Sequence, residues 1–178
     1  MLGDAGTLST DDYVVGDRVF RRQNLEGGDP IKKYFPQALN DHIAKIKALE
    51  FGERLPVPEY DERTGEAVSA EQYSKSIGKV KYLIVEGDFD FVENPDLLIY
   101  FDVPDEVRLH NRIVRDRQIR GETDNSDIID NFNLRQELQH IPHTLPAKDK
   151  ADLIVRAHAA ERDNDGKVKY EYELEKKQ

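Results

Sequence analysis

Two adjacent carboxylates, Asp11 and Asp12, follow Thr7-Leu8-Ser9-Thr10, a short run that reads as the end of a strand. A carboxylate just past a strand end can take the proton from an attacking hydroxyl or hold a metal ion, directly or through water. The same residue type also caps a turn. A third acidic group, Glu86, closes the apolar run Val80-Lys-Tyr-Leu-Ile-Val85 and precedes Gly87. A charge at the end of a buried strand is costly unless it is paired or bound to a metal or metal-bound water, so Glu86 reads either as a magnesium-associated carboxylate, a role Asp88 and Asp90 could share, or as a surface residue just past the strand. Arg108, Arg112 and Arg115 recur three or four residues apart, followed by Arg117 and Arg120. On a helix that spacing lets guanidinium groups converge on one multivalent anion, or lets them pair with Asp105, Glu106 and Asp116 on a solvated face.

Other candidates are weaker. His140 and His143 bracket Pro142 with no further ligand beside them, so no metal site is expected there. Gly78-Lys79-Val80 and Gly166-Lys167-Val168 lack both the hydroxyl residue and the earlier glycine of a phosphate loop, and Gly3-Asp-Ala-Gly6 lacks the lysine.

The elements that must position these groups follow from periodicity. Ala38, Leu39, Ile43, Ile46 and Leu49 predict a helix over about 36–49, stopped by Gly52. Leu55-Pro-Val-Pro58-Glu-Tyr60-Asp61 is extended, because proline disfavours helix in the residue before it. The polar stretch Asp61 to Gly78 is expected to be a surface excursion. Val80–Glu86, Leu97–Val103 and Ala151–Val155 are apolar runs of the kind buried on both faces of a parallel sheet. Pro104 opens a helix to about Arg120, capped by Gly121. Another helix spans about 124–139, and Asp165-Gly166 turns a hairpin between Ala157 and Leu174. Strands alternating with helices give an α/β fold with a mostly parallel, doubly wound sheet. The expected organisation is an α/β domain over 1–156 and a hairpin with a charged tail over 157–178.

Composition bounds the partners. The chain has 178 residues, enough for one core, and a formal charge of −10 from 36 acidic and 26 basic residues. That balance argues against nucleic acid as the main partner. There is no cysteine, so neither disulfides nor thiolate metal sites arise. No apolar run approaches a membrane span, and a cytoplasmic protein is expected.

Taken in order, the segments from about Thr7 to Val155 resemble the uridine kinase and phosphoribulokinase family. Leu8-Ser-Thr-Asp11-Asp12-Tyr13 is similar to the segment whose aspartate is the base towards the acceptor hydroxyl. Val57-Pro-Glu-Tyr60-Asp61 is similar to the segment whose tyrosine lines the nucleoside pocket. Val85-Glu86-Gly87, Phe101-Asp-Val-Pro104, the lid-like Arg112 to Gly121, and Leu145-Pro146 through Lys150-Ala-Asp-Leu-Ile-Val155 complete the match. The resemblance implies a kinase fold using ATP and Mg2+ to phosphorylate a nucleoside or small sugar. It implies Asp11, Glu86, Arg115 and Arg120 as catalytic groups and Asp12, Tyr13, Tyr60 and Arg112 as substrate-binding ones, with Glu86 towards magnesium.

The sequence departs from the pattern in two places. The pocket histidine a few residues after the tyrosine is missing, and so are the strand, phosphate loop and helix that precede the aspartate in the family. Activity is therefore expected to be impaired, with a non-catalytic nucleotide- or nucleoside-binding module as the alternative and a truncated start as one explanation. Loss of a central strand would leave unpaired edges and an uncovered apolar face, so a homo-oligomer is expected.

Overall fold

A computed structural model describes residues 4–24, 30–68, 75–87, 91–121, 123–162 and 168–176. It divides into two compact units, Met1–Asn94 and Pro95–Gln178.

The first unit runs β1 (Ala5–Ser9), a single 3-10 turn (Thr10–Tyr13), α1 (Arg18–Asn24), a second 3-10 turn (Pro30–Lys33), α2 (Pro36–Ala48), β2 (Arg54–Pro56), β3 (Glu59–Asp61), β4 (Glu66–Val68), β5 (Ser76–Gly78) and β6 (Tyr82–Glu86). β1 pairs in parallel with β6, which sets Ser9 opposite Glu86. Two short antiparallel ladders, β2 with β5 and β3 with β4, complete the unit.

The core is built by α2. Pro36 fits its first turn, where no backbone donor is needed. Leu39, Ile43 and Ile46 then fall on one face and pack with Leu8, Tyr13, Val57 and Ile77. Leu83 and Val85 join this core from β6.

Two expectations change here. The stretch Asp61 to Gly78 is not merely a surface excursion, because it contributes β4 and β5. β6 is covered on one face only: Leu83 and Val85 point to the core while Tyr82, Ile84 and Glu86 are exposed. An uninterrupted apolar run therefore did not mean burial on both sides, since side chains alternate across a strand whatever their chemistry.

The second unit runs β7 (Ile99–Asp102), α3 (Asp105–Arg120), α4 (Asn125–Arg135), a π-helix (Gln136–Thr144), α5 (Ala147–Lys150), β8 (Leu153–Arg162) and β9 (Val168–Lys176). β7 and β8 are parallel, and β9 returns antiparallel to β8. The expected third buried strand and the first arm of the hairpin are thus one continuous strand; the Asp165-Gly166 turn lies outside the described residues.

Gly121 ends α3 in the left-handed conformation at φ 69°, where a side chain would be strained. Asp124 caps α4, its carboxylate accepting from the Ser126 amide at 2.8 Å and from the Ser126 hydroxyl at 2.7 Å. These bonds, hydroxyl first, hold its carboxyl below the usual carboxylate range. The helix expected to reach about residue 139 instead widens after Arg135, with Pro142 inside the π-helix and the Leu145 amide donating to the His140 carbonyl at 2.7 Å.

Across the second unit's sheet, Phe101, Val155 and Leu174 stand in register. Val155 in the middle strand is buried, whereas Phe101 is 61 % and Leu174 68 % exposed. Single exposed apolar residues are ordinary, but a row of them in register forms a patch.

Candidate active site

The 3-10 turn after β1 carries the paired aspartates, and its geometry separates them. Ser9 caps the turn: its hydroxyl accepts from the Asp11 amide at 3.3 Å, while Asp12 reaches back to accept from the Ser9 amide at 3.3 Å. Asp11 is left on the exposed side and Asp12 is turned inward, 4 % exposed.

Inside, both oxygens of Asp12 are engaged. Oδ1 accepts from the Tyr60 amide at 2.9 Å, and Oδ2 accepts from the Lys75 ammonium at 2.6 Å as well as from Ser9. A buried carboxylate needs this kind of saturation, because an unpaired one would carry its full desolvation cost. Tyr13, the next residue, is buried against α2 and shares a 2.9 Å hydrogen bond with His42 Nδ1. Burial, with Asp12 adding to it, raises the Tyr13 phenol well above its ordinary value. Burial also lowers His42, helped by Lys45 and only partly opposed by Asp41, so the pair is neutral at neutral pH. Tyr13 is therefore a core and hydrogen-bonding residue of this turn.

Glu86 comes to the same strand end as the turn, through its register with Ser9. It is exposed, which corrects the expectation of a carboxylate at the end of a fully buried strand. Gly87 follows at φ 153°, pressed so closely on Thr10 that a Cβ there would lie 1.8 Å from the threonine hydroxyl oxygen. Thr10 is 2 % exposed, and its hydroxyl has no hydrogen-bond partner among the described residues. Tyr60 is half-buried on β3, beside Asp61, which accepts from the Arg63 amide at 2.8 Å and the Thr64 amide at 3.4 Å to shape the turn into β4. Those amides, Arg63 first, hold the Asp61 carboxyl below its usual range.

The first unit thus brings Asp11, Asp12, Tyr13 and Glu86 to one strand end and ties Tyr60 to the same turn. Asp88 and Asp90 lie outside the described residues. No group of three or more His, Cys, Asp or Glu that could hold a metal occurs among the described residues.

In the second unit, α3 supplies its own carboxylates to its arginines. Arg108 donates to Asp105 at 2.8 Å, to Gln136, and contacts His140 Nδ1 at 3.0 Å, while lying over the Phe132 ring. Asp116, 4 % exposed, accepts the approach of Arg115 Nε at 3.2 Å and of Arg112 Nε at 3.5 Å. Of the two readings open for this helix, the paired one describes these three residues. Arg115 remains about half exposed, and Arg120 forms the last residue of α3.

Sequence reasoning missed Lys75, which lies 63 positions from its partner Asp12 in a stretch without periodicity. It had no local signal. The hairpin of β3 and β4 did have one, the Asp61 to Gly65 turn, in which the aspartate accepts from following amides and Gly65 adopts φ 73°.

Comparison with known proteins gives the family and the fold. The family model described as "Phosphoribulokinase / Uridine kinase family" matches residues 31–162. A uridine kinase of Clostridium novyi is 30 % identical over 115 residues, covering 64 % of this chain and 55 % of that protein. A uridine kinase of Lactococcus lactis subsp. lactis is 33 % identical over 118 residues, with the same coverage of 64 % and 55 %. The chain therefore spans about half the length of these curated relatives. The solved phosphoribulokinase from Rhodobacter spheroides superposes with a TM-score of 0.59 at 15 % identity, over 90 % of this chain and 63 % of that one, a likeness of fold. Among the described residues no helix is long and apolar enough to cross a membrane.

Proposed function

The chain belongs to the phosphoribulokinase and uridine kinase family, and from that premise we propose that it serves phosphoryl transfer from ATP to a hydroxyl of a nucleoside or small sugar. The observation that carries this reading is the 3-10 turn after β1, which exposes Asp11 at the strand end shared with Glu86 while Asp12 ties the Tyr60 strand to the same turn.

Asp11 is the base. It takes the proton of the acceptor hydroxyl as the oxygen attacks the γ-phosphorus; the new O–P bond forms, the bond to the bridging oxygen breaks, and ADP leaves. Tyr60 lines the acceptor pocket, and Tyr13, buried and hydrogen-bonded to His42, keeps the turn in place. Magnesium in such sites is held by one or two carboxylates together with phosphate oxygens and water, and the exposed Glu86 at this strand end would be the carboxylate that contributes; when bound the ion would neutralise charge on the phosphates. The family resemblance gives Arg112, Arg115 and Arg120 a role towards a phosphoryl anion, and within their own unit Arg112 and Arg115 would exchange Asp116 for it.

A second reading, a nucleoside-binding module without turnover, is favoured by that same pairing, since Arg108, Arg112 and Arg115 already have carboxylate partners. The exposed apolar side chains of β6, β7 and β9 support self-association in either case.

Calorimetric titration with uridine and with ATP, alongside a transfer assay with magnesium, separates the two. Turnover that Asp11→Asn abolishes while uridine affinity holds upholds the kinase. Binding without turnover upholds the module. A well-folded protein that binds neither ligand refutes both.

A further inference from the structure

Among the described residues the ladders of the first unit are separate in their backbone pairing: β1 pairs with β6, β2 with β5, and β3 with β4. One buried carboxylate nevertheless touches all three. Asp12 accepts from the Ser9 amide at the end of β1, from the Tyr60 amide within β3, and from the ammonium of Lys75 immediately before β5. Lys75 is itself anchored, because its carbonyl accepts from the Val57 amide at 3.2 Å, next to the end of β2. The Lys75 side chain is 28 % exposed and that of Asp12 5 %.

We propose that Asp12 and Lys75 form a positioning pair that fixes the Tyr60 strand against the Asp11 turn, so that Lys75 sets acceptor affinity without touching the acceptor. The acceptor, its pocket at Tyr60 and the base role of Asp11 rest on the reading in the preceding subsection; the contacts of the pair do not. With both oxygens of Asp12 taken up by protein groups, the aspartate has little capacity left for a ligand. Its contacts have a direction: they join the residue that carries the base to the strand that carries the pocket tyrosine. Removing the lysine leaves a buried charge with only amide donors, and the carboxylate then gains by turning towards water and releasing Tyr60. Hydrophobic packing alone, by contrast, would hold the ladders together without fixing their register to the turn.

The test uses the 178-residue protein, labelled with nitrogen-15, as wild type, Lys75→Met, Lys75→Gln, Lys75→Arg and Asp12→Asn. The readouts are the Tyr60 amide resonance with its hydrogen exchange, and uridine affinity by calorimetry. Lys75→Met and Asp12→Asn are expected to shift that resonance, speed its exchange at least about ten-fold and weaken uridine by a similar factor. Lys75→Gln, which keeps a donor and loses the charge, falls between, and Lys75→Arg restores both readouts. These arms do not depend on turnover.

A Tyr60 amide unchanged in the Met and Asn variants overturns the pair. So does a shifted amide with unchanged uridine affinity. If the amide responds as expected but the wild type does not bind uridine, the pair stands and the nucleoside reading falls.

Discussion

Gly87→Ala tests how tightly the end of β6 is locked to the turn that bears the aspartates. A Cβ built on Gly87 lies 1.8 Å from Thr10 Oγ1, 2.6 Å from its Cγ2 and 2.7 Å from its Cβ. Rotating the threonine exchanges the first two atoms but cannot move the third, so no rotamer relieves the contact. Thr10 is buried, so its side chain has no open space to enter. Alanine must also adopt φ near 153°, a region that L-residues avoid. Backbone strain of this kind costs about 1–3 kcal/mol, and overpacking a filled site costs about 1–3 kcal/mol more. The expected loss is therefore about 2–6 kcal/mol from these two sources combined. With a urea slope of about 2 kcal/mol per molar, the midpoint should fall by roughly 1–3 M.

A Thr10→Ala change in the Gly87→Ala background should recover part of the loss. It deletes the 1.8 Å and 2.6 Å contacts and leaves the one at 2.7 Å. A single variant within about 0.5 kcal/mol of wild type, the spread typical of neutral surface changes, would refute the close approach. Complete recovery in the double variant would refute the part assigned to Cβ and φ.

Two further outcomes follow from the core and its neutral pair. Leu39→Ala, which empties a wholly buried position of α2 between Leu8 and Ile43, should cost about 2–5 kcal/mol in urea unfolding. His42 has a lowered pKa in the folded state, so the unfolded chain binds its proton more readily and stability rises with pH through this group. Its contribution is complete above the ordinary histidine range and is lost as pH falls from about 6.5 towards the folded value. The stability difference between wild type and His42→Asn should accordingly shrink between pH 7.5 and 5.5, and a difference independent of pH would contradict the assignment.

Much of the scaffold was legible in the amino-acid order. The apolar positions of α2, the proline at the start of α3 and the glycine at its end depend on neighbours within a few residues, where helical geometry dictates the outcome. So does the strand-end placing of Asp11, Asp12 and Glu86, which the parallel register of β1 and β6 brings together. The family, too, followed from short segments in a fixed order.

Which aspartate turns inward was not legible, because Asp11 and Asp12 are chemically identical and adjacent. The distinction came from Tyr60 and Lys75, 48 and 63 positions away, whose donors converge on Asp12 alone. The arginines of α3 gave the same lesson in reverse: their spacing allowed an anion cradle or a paired face, and Asp116 took up the pairing once the helix buried it. Burial is likewise a property of the assembled layers, and apolar strands such as β6 and β7 read as doubly buried until the packing left Ile84 and Phe101 exposed. Local order fixes which groups an element can offer, while desolvation and the reach of distant donors decide which of them remain available for chemistry.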